Sequence, residues 1–291
     1  MQRLVWLFAA LVAAFVSGPG LAQEKVGVAA STTVLADLAR NVGGDRVDVV
    51  SLVGPNGDIH SYVPSPADAK KLADARLVIL NGLALEGSTA QFMRTAAKGA
   101  KALVASDGIT PLRLGNAVDP HAWQSVANAK TYVANIRDAL IAADPADKSA
   151  FEANAAAYLR RLDALDAEVK AAIATIPPER RKLVTAHDAF GYFGSAYGVE
   201  TIAPHGVSTE AEASARDVAR IIAQVRAEKI PVVFLENLTD PRLLQRIARE
   251  SGARIGGTLY LDALTDADGP APTYIEMMRH NVKQLVAALA G

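Results

Sequence analysis

Four side chains have the types and positions that could hold a metal ion: His60, His121, His187 and Asp262. Each falls in a loop after a predicted β-strand, and binding groups in open parallel sheets gather at those strand ends. Three imidazoles and a carboxylate suit a borderline divalent ion such as zinc, held by nitrogen and oxygen donors at about 2.0–2.2 Å in a tetrahedron. Calcium and magnesium favour all-oxygen shells. His60 sits in VGPNGDIHSYVPSP, residues 53–66, where Gly54, Pro55, Asn56 and Gly57 break a strand and Pro64 and Pro66 keep the backbone extended. Taken alone, this residue reads equally well as a surface histidine in a turn. No HExxH or other local metal motif joins the four, so spacing by itself leaves the choice open.

The elements that must position these residues follow an α/β grammar. Strands are expected at 26–30, 46–53, 77–80 and 101–105, with helices to Ala39, over 67–74, over 85–98 and over 125–142, and a loop from Ser106 to Trp123. The stretch 148–176 has neither Gly nor Pro, and its apolar residues Phe151, Ala155, Tyr158, Leu162, Leu165, Val169 and Ile173 recur at helical spacing. It predicts one long helix, with Asp144 as its cap, Pro145 in its first turn and Pro177-Pro178 as its stop. Strands then recur at 183–186, 199–203, 231–235 and 253–256, with helices to Tyr197 and over 213–228, 241–250 and 274–289. The fold class is therefore α/β, with two lobes, each a mainly parallel four-stranded sheet flanked by helices, joined by one long rigid linker helix. The expected division is 1–22 leader, 23–143 N-terminal lobe, 144–177 linker helix and 178–291 C-terminal lobe, with His60 and His121 in one lobe and His187 and Asp262 in the other.

The chain has 291 residues, 51% of them hydrophobic, enough for one large or two ordinary cores. Thirty basic against 31 acidic residues leave a net charge of -1, which gives no reason for nucleic acid or an acidic membrane to be a partner. Arg3, the apolar run from Leu4 to Val16 and the small residues Gly20-Leu21-Ala22 read as a signal peptide cleaved near Ala22, with an N-terminal anchor as the competing reading. The cysteine count is zero, which removes disulfides, thiol nucleophiles and a lipidated cysteine. The expected product is an exported, soluble, monomeric periplasmic protein and not a lipoprotein.

At the level of motifs the chain resembles the metal-binding receptors of ABC importers for zinc and manganese, the cluster A-I solute-binding proteins. The resemblance lies in GPNGDIHSYVPSPAD (54–68), DPHAWQS (119–125), TAHDAFGYF (185–193), GVSTEAEAS (206–214), FLENLTDP (234–241) and LYLDAL (259–264). It implies two lobes bridged by a rigid helix, with the ion in the cleft and ligands at His60, His121, His187 and Asp262. Manganese members generally place Glu where His187 stands, so the resemblance implies zinc as the transported ion, with manganese as the alternative. It also implies a membrane permease with a cytoplasmic ATPase as partners. Many zinc members carry a His-rich stretch before the second ligand; Leu112 to Asp119 has no His, so metal capture could pass to a separate metallochaperone.

Other polar residues carry lesser expectations. His205 reads as a loop residue or a transient ligand, and His280 as a surface residue. Asp58 and Asp119 could orient imidazoles or cap turns. Glu210 and Glu212 would begin a helix, and Trp123 and Tyr192 would pack around the site. A metallohydrolase is the competing class, but catalytic zinc keeps an open position beside three protein ligands. Four ligands fill a tetrahedron, and neither GxSxG nor an assignable general base is present, so no enzyme is expected. Ion binding is expected to order the loops near His121 and Asp262.

Overall fold

A computed structural model of the protein describes residues 24–210 and 213–290. The leader expected at 1–22 lies outside the described residues. Chain order in the first lobe is β1 (Val26–Ala30), α1 (Thr33–Gly43), β2 (Val47–Ser51), α2 (Pro66–Leu72), β3 (Leu77–Leu80), α3 (Thr89–Ala96), β4 (Lys101–Val104), β5 (Arg113–Leu114), β6 (Ala117–Val118) and α4 (Val126–Ala143). The long helix is α5 (Lys148–Ala174). The second lobe runs β7 (Lys182–Val184), α6 (Gly191–Tyr197), β8 (Glu200–Ile202), α7 (Ala215–Ala227), β9 (Val232–Glu236), α8 (Pro241–Ser251), β10 (Arg254–Leu259) and α9 (Tyr274–Leu289).

Both four-stranded sheets are parallel, in the orders β2-β1-β3-β4 and β10-β9-β7-β8. Numbered within its own lobe, each sheet reads 4-3-1-2, so the two lobes repeat one topology. In such a sheet the crevice lies where the connections diverge, between the first and third strands. That is β1/β3 in the first lobe and β7/β9 in the second.

Each sheet turns one face to a shared core and the other to a core of its own. Along β1, Val26, Val28 and Ala30 join the shared core, while Ala29 faces a smaller cluster with Leu72 and Met93. Along β9, Val232 and Phe234 face the shared core and Val233 faces Ile221, Val225 and Leu244. This is the two-residue alternation of a strand serving two layers. Helix α5 spans about 40 Å at 1.5 Å per residue. It buries all seven of its spaced apolar residues and packs on α1, α4 and α9, so it lies between the lobes as part of the common core. Truncating one of these fully buried residues, such as Leu162→Ala, would cost about 2–5 kcal/mol.

Several boundaries differ from the sequence reading for local reasons. Asp144 caps a short 3-10 turn, Pro145–Asp147, and α5 begins after it. Helix α3 starts at Thr89, later than the expected Leu85, because Gly87 takes a left-handed φ of 49° that a helix cannot include. The loop from Ser106 to Trp123 contains the antiparallel hairpin β5-β6. Helix α7 begins at Ala215, with the Ser214 hydroxyl accepting from Asp217 N, so Glu210 lies ahead of it, and Glu212 lies outside the described residues. Among the described residues, no helix is long and apolar enough to cross a membrane.

Candidate metal centre

The four residues named from sequence converge. One ligand atom from each of His60, His121, His187 and Asp262 lies within 4.8 Å of the others. The three imidazole centroids stand 5.2, 5.3 and 5.7 Å apart. His60 Nε2 lies 3.2 Å from His121 Nε2, and His187 Nε2 lies 3.1 Å from Asp262 Oδ2. His121, His187 and Asp262 are no more than 1% exposed. Despite that proximity, His187 Nε2 and both Asp262 carboxylate oxygens form no hydrogen bond among the described residues. Buried polar atoms are normally paired, so three unpaired ones aimed at a common centre fit a divalent cation.

Two imidazoles are oriented from behind. The Asp119 carboxylate accepts from the His121 ring at Nδ1 (2.8 Å) and from the His121 backbone N–H (2.9 Å). Gly191, opening α6, leaves room for that carboxylate, because a Cβ there would collide with Asp119 Oδ2. Glu236, at the end of β9, accepts from His187 Nδ1 (2.7 Å) and from the backbone N–H groups of Ala186 (2.7 Å) and His187 (3.2 Å). Occupying Nδ1 in this way leaves Nε2 of each ring for the centre. Asp58 acts differently from Asp119. It accepts from the His60 backbone N–H (2.8 Å) and the hydroxyls of Ser61 and Thr209, so it fixes the loop and leaves the ring alone.

Electrostatics separate the histidines. Burial lowers the His60 pKa to about 4, so its ring is neutral at physiological pH. Burial opposes charge on His187 as well, but there the carboxylates of Glu236 and Asp262 outweigh it and raise the pKa well above the usual histidine value. Asp262 is the reciprocal case: burial favours its neutral form, yet His187 and His121 hold it far below the ordinary carboxylate range. Asp262 therefore supplies a fixed carboxylate, and His187 carries a proton that a cation would displace.

Sequence reasoning missed Glu236 and Asn81. Glu236 was visible only as the polar end of a buried strand run, PVVFLE. Asn81, just beyond β3, donates from Nδ2 to the Pro120 carbonyl (2.9 Å), beside His121, and its Oδ1 takes the Tyr132 hydroxyl (2.5 Å). Trp123 and Tyr192, expected as packing, also make polar contacts: Trp123 Nε1 donates to the Leu261 carbonyl (2.8 Å), and the Tyr192 hydroxyl accepts from Leu112 N (3.0 Å). His205 stays out of the cluster and lines a neighbouring cavity of about 450 Å³ with Asp58, Thr209 and Asp240. His280, expected at the surface, is half-buried, with Nε2 3.0 Å from the Thr258 carbonyl and its ring on Tyr260. His60 lines a cavity of about 520 Å³ with Val63, Leu83, Glu86, Pro120 and Glu210.

The family model described as zinc-uptake complex component A, periplasmic (ZnuA), matches residues 28–288. Among curated proteins, the iron-binding protein YfeA of Yersinia pestis is 35% identical over 271 residues, covering 91% of this chain and 87% of its own. The manganese ABC transporter substrate-binding lipoprotein PsaA of Streptococcus pneumoniae is 32% identical over 277 residues, covering 91% and 89%. The solved periplasmic zinc-binding protein TroA of Treponema pallidum superposes with a TM-score of 0.88 at 34% identity, covering 92% of this chain and all of that one. One expectation is overturned here. The location drawn from sequence, a free periplasmic product cleaved near Ala22 with no lipid anchor, is withdrawn. A relative as similar as PsaA is named a lipoprotein, so this group of proteins includes lipid-anchored members, and the leader on which the reading rested lies outside the described residues.

Proposed function

The chain belongs to the zinc-uptake complex component A family, the metal-binding receptors of ABC importers, and from that premise we propose that His60, His121, His187 and Asp262 hold one zinc ion as cargo. A receptor of this family is not an enzyme; it is the substrate-binding component of a transporter whose other parts are a permease and an ATPase. The cargo class, a divalent metal, follows from the family; zinc is the finer proposal. Part of that proposal is the division into lobes 23–143 and 178–291 around the helix 144–177.

The observation that carries the reading is the convergence of four ligand atoms within 4.8 Å, with those of His187 and Asp262 buried and unpaired. Nitrogen-rich sets favour zinc over manganese in the general affinity order. A manganese reading has its own support. Among the described residues neither Asp262 oxygen has a hydrogen-bond partner, so a two-oxygen grip and a higher coordination number are open to the ion, and PsaA is named for manganese. The metallochaperone considered from the loop before His121 gains no support from these relatives and forms no part of the proposal.

Metal analysis with competitive zinc and manganese titrations of the protein and its His187→Ala variant tests the reading. One equivalent of zinc, held more tightly than manganese and weakened by at least about a hundredfold in the variant, is expected, since even outer partners are worth about 10–100-fold. Tighter manganese binding would transfer the proposal to the second reading.

A further inference from the structure

By chain order Asp262 belongs to the second lobe, and Asn281 of α9 holds the backbone of Tyr260 two residues before it, yet groups of the first lobe also hold the backbone on both sides of it. The carbonyl of Leu261, one residue before it, accepts from Trp123 Nε1 (2.8 Å) and from Gln124 Nε2 (2.7 Å). Two residues after it, Leu264 donates its N–H to Thr33 Oγ1 (2.8 Å) and accepts from Asn56 N at its carbonyl (3.0 Å). His187 has the opposite attachment. Its backbone and ring are held by Glu236 and Thr185, both of the second lobe.

We infer that Trp123 and Gln124 are positioning residues that hold Asp262 in register with His121, so that the centre is built as three ligands on one hydrogen-bonded unit plus His187 on the other. The inference rests on the ligand set proposed above. Trp123 and Gln124 ride on the same 3-10 turn, Ala122–Gln124, that directly follows His121. The chain from imidazole to donor is therefore two or three residues, and from acceptor to carboxylate it is one. Levers this short transmit little backbone error, which suits a site whose ligands must be placed to fractions of an ångström. Both lone pairs of one carbonyl are used, and the turn is fixed from its other side by the Tyr274 hydroxyl donating to the Trp123 carbonyl (2.7 Å).

Gln124 supplies a second argument. It is fully buried, and its Oε1 has no hydrogen-bond partner among the described residues. As a space-filler, a half-satisfied amide is worse than an apolar residue of the same length. Its presence is accounted for by what the other half of the amide does, which is to hold Leu261. The sequence reading expected ion binding to order the loops of His121 and Asp262; here those two loops are bonded to each other, and His187 is the ligand with separate attachment.

The test is a double-mutant cycle on zinc affinity, read by competition titration. W123F/Q124M removes both donors while keeping an aromatic ring at 123 and a side chain of glutamine's length at 124. In the parent it should weaken zinc about 10–100-fold, the range of outer-partner losses. In a D262N background it should cost less than about threefold more, because the anionic ligand it positions is already gone. Equal losses in both backgrounds would show a merely structural role and overturn the inference. A D262N protein that binds zinc as tightly as the parent would overturn the ligand set instead, and with it the inference. E168Q, which breaks the exposed Glu168–Arg279 pair between α5 and α9, is the control and should leave affinity unchanged. If the double variant fails to fold, Q124M alone carries the same cycle, with about a tenfold or smaller loss in the parent and none in D262N.

Discussion

The two sheets share one topology, and each places a buried glutamate at its crevice, but the two glutamates serve the ion at different removes. In the second lobe Glu236, at the end of β9, bonds directly to the His187 ring. In the first lobe Glu86 occupies the corresponding crevice. It accepts from the Ser31 hydroxyl beyond β1 (2.8 Å) and from the N–H groups of Asn81 (2.5 Å) and Gly82 (3.2 Å) beyond β3. Asn81 then bonds to Pro120, beside His121. One crevice thus presents a ligand, and the other props the loop that presents one. The same architecture can supply a site directly or at second hand, depending on which side chain stands after its first strand: His187 after β7, Ser31 after β1.

Removing the two carboxylates separates these roles. Glu236→Gln is expected to weaken metal affinity about 10–100-fold, because it loses the acceptor that fixes the His187 tautomer. Glu86→Gln is expected to move affinity less than about threefold. It should lower stability by about 1–3 kcal/mol, since the amide keeps one acceptor oxygen and must turn its NH2 either to the Gly82 N–H or to the Ser31 and Asn81 donors. Calorimetric titration and denaturant unfolding of both variants check the pair, and an affinity loss in Glu86→Gln as large as in Glu236→Gln would erase the distinction.

Acidification sharpens the comparison from the side of His187. Its pKa is raised by Glu236 and Asp262 against the effect of burial, so below that raised value each bound ion must displace a proton. Affinity should therefore fall as pH falls, by up to about tenfold per unit for one proton. His60, already lowered to about 4, adds to the loss only near that pH. In Glu236→Gln one raising charge is gone, and the fall should begin at lower pH. Titrations between pH 5 and pH 8 measure the slope; a flat profile in the parent would contradict histidine ligation.

The smallest effect is expected at the start of α2, just beyond the His60 loop. The Asp68 carboxylate accepts the Ser65 hydroxyl (2.7 Å) and N–H (2.8 Å). Burial favours its neutral form, but these bonds and the one from Lys71 outweigh it and hold its pKa far below the ordinary range. A depressed carboxylate stabilises the fold above its unfolded pKa, and that contribution is lost as pH falls toward the folded one. Ser65→Ala should cost about 1 kcal/mol in thermal unfolding with no change in affinity.

Much of this was legible in the sequence because it depends on local order. The parallel strands, the long helix and the strand-end positions of His60, His121, His187 and Asp262 follow from periodicity and breakers, and the structure brings those four together. Asp119 could be weighed as a partner because it lies two residues from its histidine. Glu236 could not, because it reaches His187 only through the pairing of β7 with β9, which the sequence does not state. The Gln124–Leu261 bond likewise crosses between lobes. The late start of α3 was hidden because the apolar spacing runs on through 85–88 while Gly87 adopts a left-handed angle that breaks it. The location failed for another reason: it was argued from the leader and the absence of cysteine, while a relative as similar as PsaA is named a lipoprotein.

The central claim is that His60, His121, His187 and Asp262 surround one ion, and X-ray absorption on the stoichiometrically zinc-loaded protein tests it most directly. The account predicts three imidazole nitrogens and carboxylate oxygen at about 2.0–2.2 Å, with one imidazole lost in His187→Ala. A shell of oxygens without imidazole scattering, or one unchanged in that variant, would contradict it.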